Sequence, residues 1–204
     1  MELILIACSK TKRMGGYIQF VPSSLVNILS DEKYLQLMNS RKELASIINI
    51  TPGLDLGFSN QDQQLAFLPA YQRYNGKFYQ KNNFSSVYPE LSTKRVIIIS
   101  ALYGVLDAND HIRNYELTMD HTLSIGVRVK TWWKNHGLGK IIGEIVCQRR
   151  FIQVHDLLPI SYRDAIKPWP PNCRNESLIQ YDYPGQGSGS IWRRAEELNR
   201  ILGQ

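Results

Sequence analysis

Two continuous runs of apolar residues stand out in the chain, at 3–8 and at 96–99. Runs of this length without polar alternation are typical of strands that are covered on both faces, as in parallel α/β sheets. Residues 25–50 instead repeat their apolar positions at steps of three and four, which predicts helices. Ser30 and Asp31 predict a break or an N-cap between two of these helices.

The rest of the chain continues this alternation. Shorter strands are predicted at 64–69 and 151–154, and helices at 128–135, 140–149, 161–166 and 191–202. Residues 70–88 and 101–115 are predicted to be loop or irregular, Pro168–Pro171 stops a helix, and 183–190 reads as a Gly/Ser linker. Alternating strands and helices predict one three-layer α/β domain over residues 1–204, with a mainly parallel central sheet.

Polar segments follow three of the predicted strands, at 8–10, 100–103 and 155–156. In parallel sheets, ligands bind beyond the carboxyl ends of the strands. We therefore expect Cys8, Ser100 and Val154 to mark the carboxyl ends of neighbouring parallel strands.

Two carboxylates in these regions are candidate catalytic residues, Asp107 and Asp156. An acid at the end of a strand can serve as a general base when burial and neighbouring charges adjust its pKa. We expect Asp107 to lie at the rim of a cleft, close to Lys10. The alternative for both residues is a structural one, because Asp commonly caps turns and helices.

The charge of the chain narrows the choice of partner. It has 24 Lys and Arg against 18 Asp and Glu, a net charge of +6, and its basic residues concentrate at 128–150 and at Lys10, Lys12 and Arg13. Such clusters favour a polyanion such as nucleic acid, and the alternative is an ordinary solvated surface.

The sequence shows no signal for a membrane helix, a signal peptide, a metal site or a cofactor site. No apolar run approaches the roughly 20 residues of a membrane helix, and no signal peptide is evident. The three cysteines include no C-x-x-C pair or zinc-type spacing, and no P-loop or dinucleotide fingerprint occurs, so we expect no metal and no cofactor. The lack of a signal peptide and the odd number of cysteines predict a cytoplasmic location. Cys147 and Cys173 are expected to be small buried side chains.

Several segments resemble one known family when taken in chain order. They are the opening Leu3–Thr11, the loop Tyr74–Tyr79, the segment Ile99–Leu106 followed by Asp110 and Tyr115–Met119, and the late Leu157 and Tyr162. Together they resemble the YaaA family of peroxide-stress proteins. The resemblance implies an α/β core and nucleic-acid binding, and supports binding more than turnover, since no catalytic reaction is settled for the family.

The chain departs from the family pattern at several positions. Cys8 and Ser9 stand where the family has proline and alanine, Ala101 replaces a glycine, and Asn114 replaces a proline. Asp107 stands where the stress proteins usually have a basic residue. A neighbouring group of shorter uncharacterised domains commonly has aspartate there, so the chain looks closer to that group.

A glycine-bearing turn lies inside the basic segment 128–150. Gly137, Gly139 and Lys140 between two predicted helices are similar to a helix-hairpin-helix, in which backbone N–H groups hold a DNA phosphate. The alternative is an ordinary turn between two helices.

Aromatic and basic residues alternate in the segment 71–81. Tyr71, Tyr74 and Lys77 there, with Tyr103 from the post-strand segment, are candidates to stack on an unpaired base and contact its phosphate. The alternative is a loop packed by its own tyrosines.

These features lead to two functional hypotheses. The first is a DNA glycosylase that hydrolyses the N-glycosidic bond of a modified or damaged base, with Asp107 or Asp156 activating water. Its partner would be DNA, single-stranded or modified DNA included. The second is a non-catalytic DNA-binding protein of the peroxide-stress response.

Overall fold

A five-stranded sheet in the order β4-β3-β1-β6-β7 forms the centre of the computed structural model, which describes residues 1–60, 62, 64–148, 151–167, 177–187 and 189–203. All neighbouring strands in it are parallel except β3 and β4, and β2 pairs with β5 in a separate antiparallel pair. The strands are β1 (Glu2–Ala7), β2 (Phe67–Pro69), β3 (Lys94–Ser100), β4 (Gly104–Asp107), β5 (His111–Arg113), β6 (Gln153–Asp156) and β7 (Ser177–Gln180).

The central strands are buried on both faces, as their apolar runs predict. Leu3 to Ile6 of β1 and Val96 to Ile99 of β3 are all 0% exposed. Because successive side chains of a strand point to opposite faces, both faces of the sheet are covered by other elements. The prediction of a mixed α/β fold with a mainly parallel sheet is confirmed.

Helices lie between most of the strands that the structure describes, but β3, β4 and β5 follow one another with turns only. They are α1 (Asp31–Ile47), α2 (Ala70–Arg73), α3 (Lys77–Lys81), α4 (Phe84–Val87), α5 (Val129–Asn135), α6 (Leu138–Val146), α7 (Ile160–Ile166) and α8 (Gly189–Leu202). Ser30 caps α1 as predicted, since its side chain accepts from the Lys33 N–H. No helix in the residues listed above is long and apolar enough to cross a membrane.

Two segments predicted to be irregular contain regular structure. Residues 70–88 hold α2, α3 and α4, which are too short to show a helical period in the sequence. Residues 101–115 hold β4 and β5, and β7 was not predicted. Cys147 is exposed rather than buried, while Cys173, Arg149, Arg150 and Pro168–Pro171 lie outside the described residues.

The register brings three strand ends to one edge of the sheet. Ala7 pairs with Ile99, and Leu5 pairs with Asp156. Cys8, Ser100 and the end of β6 are therefore neighbours, as expected from the polar segments that follow these strands. Val154 itself pairs with Leu3 and lies two residues before the end of β6.

Candidate functional site

A pocket with a cavity volume of about 440 Å³ opens at this edge of the sheet. We call it the strand-edge pocket. Four segments far apart in the chain form its wall: the end of β1 with the loop after it, the start of α3, the β6–α7 connection and the first turns of α8. The lining residues are Ala7, Cys8, Ser9, Lys10, Thr11, Gly76, Lys77, Phe78, Tyr79, Leu157, Pro159, Tyr162, Ile191 and Arg194.

The loop after β1 is held in place by backbone hydrogen bonds. The Asn75 N–H donates to the Thr11 carbonyl at 3.0 Å, and the Arg13 N–H donates to the Arg73 carbonyl at 2.8 Å. Gly76 packs closely against the loop, because a Cβ at this position would lie 2.2 Å from the Ser9 Oγ. These contacts fix where the loop presents its side chains to the pocket.

The solvent side of the strand-edge pocket carries positive charge. Lys10 and Lys77 line it and are both exposed. Among the described residues, no carboxylate lines the pocket. The cavity is therefore suited to a ligand that is neutral or negative.

Hydroxyl and thiol groups form the inner wall. The Cys8 Sγ and the Tyr162 hydroxyl lie 3.3 Å apart, and the Tyr79 hydroxyl donates to the Ala7 carbonyl at 2.7 Å. Cys8 is a free thiol and is half-buried. Burial raises the pKa of Tyr79 and of Tyr162, so both hydroxyls stay protonated at neutral pH.

A buried polar network lies next to the loop. The Tyr115 hydroxyl is 2.9 Å from both the Tyr74 hydroxyl and the Ser100 Oγ. The Lys12 Nζ sits 3.8 Å from the centre of the Tyr115 ring. Burial lowers the pKa of Lys12 to about 8, because the charged ammonium is partly removed from water.

We expect the Lys12 amine to titrate with a midpoint of about 8, against an ordinary value of 10.5. Since the unfolded chain binds this proton more tightly, the Lys12 contribution to the free energy of unfolding increases as pH rises through that interval. NMR of ¹³C-labelled lysines across this pH range measures the midpoint, and Lys12→Arg identifies the resonance. A midpoint near 10.5 would contradict the burial argument.

The structure places Asp107 away from the pocket. The chain reverses at Gly104 and returns along β3, so Asp107 pairs with Ile97 instead of extending beyond the strand end. It is 1% exposed, lies 2.7 Å from the Arg95 Nη2 and accepts from the Asn109 N–H. The expectation that Asp107 lies at a cleft rim close to Lys10 is wrong, and its contacts are those of a structural cap.

Asp156 does reach the correct edge of the sheet but faces away from solvent. It is 0% exposed, accepts from the Arg163 Nε at 2.6 Å and accepts from the Leu158 N–H at 2.9 Å. Burial raises its pKa. Leu157, the next residue, lines the strand-edge pocket, so Asp156 is one residue removed from the cavity wall.

The aromatic candidates are divided between core and surface. Tyr74 and Tyr103 are 2% and 0% exposed, and the Tyr103 hydroxyl donates to the Asp55 Oδ2 at 2.6 Å. Neither ring is available to stack on a base. Tyr71 packs on Tyr88, with 5.0 Å between ring centres, as in the alternative of a self-packed loop. Phe78 is half-buried and lines the strand-edge pocket, as do Tyr79 and Tyr162.

The two basic residues beside Lys10 also differ in position. Lys12 is half-buried in the tyrosine network described above. Arg13 is exposed, and its Nη2 donates to the Ser85 Oγ at 3.1 Å. Of the first basic cluster, Lys10 is thus the residue whose side chain belongs to the strand-edge pocket.

The glycine turn between α5 and α6 packs against α1. Gln36 of α1 donates to the His136 carbonyl at 2.9 Å, and Gly139 is buried. Glu32 and Glu43 line the same groove as Gly137 and Lys140. The turn shares no lining residue with the strand-edge pocket, and the structure does not confirm a helix-hairpin-helix.

The basic segment around this turn is also partly neutralised in three dimensions. The Lys130 Nζ lies 3.2 Å from Asp120 and 3.7 Å from Asp164. Both aspartates lie outside the basic segment in the sequence. The His136 Nε2 lies 3.3 Å from Glu43. The local excess of positive charge that the linear sequence indicates is therefore smaller on the folded surface.

Sequence reasoning did not single out Arg194, Ser9 or Pro159 as site residues. Arg194 had a recognisable signal. It occupies the apolar stripe of the last helix, three residues after Ile191 and four before Leu198. A charged residue within such a stripe indicates either a buried partner or a ligand.

Comparison with protein families matches residues 2–191 to the family described as peroxide stress protein YaaA. The matched range includes the pocket segments 7–11, 76–79 and 157–162 and ends before Arg194. No curated protein matches the chain at a significant level.

Proposed function

The chain belongs to the peroxide stress protein YaaA family, and from this premise we propose that it acts on nucleic acid through the strand-edge pocket. The observation that supports this proposal most is the convergence of segments. The loop with Lys10, the start of α3 with Lys77 and the β6–α7 connection surround one cavity at the carboxyl edge of the sheet. In parallel sheets this edge is where ligands bind.

The walls of the pocket suit a planar ring. Phe78 offers an aromatic ring and Pro159 offers apolar surface, and both are half-buried. The cavity of about 440 Å³ lies within the range of small-molecule sites. Stacking of a base on an aromatic side chain typically contributes about 1–3 kcal/mol. We propose that the ring is an unpaired or flipped-out base.

Lys10 and Lys77 would hold the phosphates that flank this base. Both are exposed on the solvent side of the pocket, where they can follow a backbone without being buried. Lysine contacts of this kind are independent of sequence. The proposed partner is DNA with an accessible base, either single-stranded or carrying a modified base.

The proposed reaction is hydrolysis of the N-glycosidic bond of a modified or damaged base. Water attacks C1′ of the sugar while a carboxylate accepts its proton, and the C1′–N bond breaks so that the base departs with the bonding electrons. The base takes up a proton from solvent, and the carboxylate returns the proton that it accepted to solvent. Asp156 is the proposed carboxylate, because β6 delivers it to the pocket edge and burial raises its pKa. Asp107 has no part in the proposal because of its position on β4.

A second candidate function is binding without catalysis. It is favoured by the absence of any carboxylate from the described lining of the pocket and by the hydrogen bond that engages Asp156 with Arg163. A protein of this kind would protect or mark DNA during peroxide stress.

An excision assay separates the two candidates. The protein is incubated with duplex and single-stranded DNA that carries defined modified or oxidised bases, and alkali then cleaves any abasic site. The proposed hydrolysis predicts alkali-dependent breaks at the modified base. Binding to the same DNA with no break across the panel, heavily modified phage DNA included, would exclude hydrolysis and support the second candidate.

A further inference from the structure

Arg194 on α8 is an unusual residue in the wall of the strand-edge pocket. It is 7% exposed, so more than nine-tenths of it is buried. Its Nη1 donates to the Ser190 carbonyl at 3.2 Å, whereas its Nε is buried without a hydrogen-bond partner among the described residues. A guanidinium has five N–H donors, and buried donors are almost always paired.

Arg194 also lacks an ion pair within the described part of the chain. Its Cζ lies 5.5 Å from the centre of the Tyr183 ring, and the carboxylates of Asp156 and Asp182 act on it only from beyond ion-pair distance. The neighbouring Arg163 shows the contrast, because it is ion-paired with both Asp156 and Asp182. Arg194 forms no such ion pair with any described carboxylate, and the exposed Lys10 and Lys77 add further positive charge to the same cavity. A buried charge without an anion at ion-pair distance is costly, so its retention points to a ligand that supplies that anion.

We infer that Arg194 binds the phosphate monoester of a nucleotide whose base occupies the strand-edge pocket. This inference rests on the proposed function, which places a base in the strand-edge pocket. It adds that Arg194 anchors the nucleotide through its phosphate. Arginine suits this task because its planar fork donates two parallel hydrogen bonds to a phosphate. Phe78 and Pro159 supply the surface for the base. The depth of Arg194 favours a terminal phosphate over the internal phosphates that Lys10 and Lys77 can reach.

Two sources present this chemistry, a free nucleotide and the 5′ end of a strand. The probes are the four deoxynucleoside 5′-monophosphates, the matching nucleosides, and one single-stranded oligonucleotide with either a 5′-phosphate or a 5′-hydroxyl. Isothermal titration calorimetry measures each affinity for the wild type and for Arg194→Gln. Arg193→Gln is the matched control. Arg193 is exposed, and its replacement removes the same charge from the adjacent position.

We expect Arg194→Gln to weaken binding of the 5′-phosphorylated ligand by about 10- to 100-fold, the loss typical of a charge-assisted pair, with Arg193→Gln unchanged. A preference for monophosphates over nucleosides that disappears in Arg194→Gln identifies a free nucleotide. A preference for the phosphorylated oligonucleotide that disappears identifies a strand end. Equal affinity of wild type and Arg194→Gln for every phosphorylated probe would overturn the inference.

The thermal stability of the ligand-free variants adds a second readout. Because the wild-type guanidinium is buried and incompletely paired, Arg194→Met should unfold at the same temperature as the wild type or higher. A structural role for Arg194 predicts a clear decrease instead and would overturn the inference. Equal affinity of wild type and Arg194→Gln for every phosphorylated probe, together with oligonucleotide binding that is lost on replacing Lys10 and Lys77, would leave the proposed function intact while removing the phosphate site.

Discussion

Replacing Asp156 with Asn is expected to lower the rate of base release by about 10²–10⁴-fold, the usual loss when a general base is removed. Asn keeps the shape of the side chain and can still accept from the Leu158 N–H. It cannot accept a proton from water. The rate is measured from single-turnover release of the modified base, scaled to the fraction of protein that is folded at the assay temperature.

Asp107→Asn is the matched control for this prediction. Both carboxylates are buried, and each accepts from the Nε of an arginine, Arg163 for Asp156 and Arg95 for Asp107. Asp156, in contrast to Asp107, lies at the pocket edge. If the two variants lose activity equally per folded molecule, Asp156 is a structural residue and the proposed hydrolysis lacks its base.

Replacing Asp55 with Ala is expected to lower the free energy of unfolding by about 3–5 kcal/mol, because a buried charge would lose its partner. Asp55 forms an ion pair with Arg113, and the two side chains are 1% and 3% exposed. Asp55 also accepts from the Arg113 Nε at 2.9 Å and from the Tyr103 hydroxyl at 2.6 Å. Urea unfolding measures the change, which corresponds to roughly 2–4 °C in Tm per kcal/mol for a chain of this size.

Glu196→Gln provides the comparison at the surface. Glu196 lies 4.0 Å from Arg193, and both side chains are more than half exposed. Exposed ion pairs of this kind contribute about 0–1 kcal/mol to stability. The free energy of unfolding of Glu196→Gln should therefore be close to that of the wild type. A loss of less than 1 kcal/mol for Asp55→Ala would show that Arg113 is solvated in the variant and that the burial argument fails.

The edge of the sheet that carries the pocket is predictable from the sequence for a physical reason. The apolar runs that became β1 and β3 are continuous, as strands covered on both faces require. The parallel arrangement then places the residues after them, Cys8 and Ser100, side by side. No knowledge of side-chain packing is needed for that step.

The position of Asp107 could not be predicted from the apolar runs. Gly104 has φ 71°, in the left-handed region, and a Cβ there would lie 2.7 Å from the Trp133 ring. This turn sends the chain back along β3, so Asp107 moves away from the edge. Whether a glycine after a strand continues a loop or starts a hairpin depends on tertiary contacts such as this ring.

The burial of two aromatic candidates could not be predicted from the sequence either. Tyr74 and Tyr103 look available to a base in a polar segment, but their hydroxyls pair with Tyr115 and Asp55 inside the core. The relevant partners lie 41 and 48 positions away in the chain. Local composition cannot reveal such contacts, whereas the charge of Arg194 within an apolar stripe is visible locally.

The salt dependence of binding to a single-stranded oligonucleotide tests the central claim most directly. We compare the wild type with Lys10→Ala/Lys77→Ala at the pocket and with Lys134→Ala/Lys140→Ala, which removes the same charge at the α5–α6 turn. Two lost phosphate contacts should reduce the slope of log K against log salt by about 1.4, or 0.7 per contact. The account predicts this reduction for the pocket variant, with the turn variant close to the wild type. An unchanged slope for the pocket variant together with a reduced slope for the turn variant would contradict it.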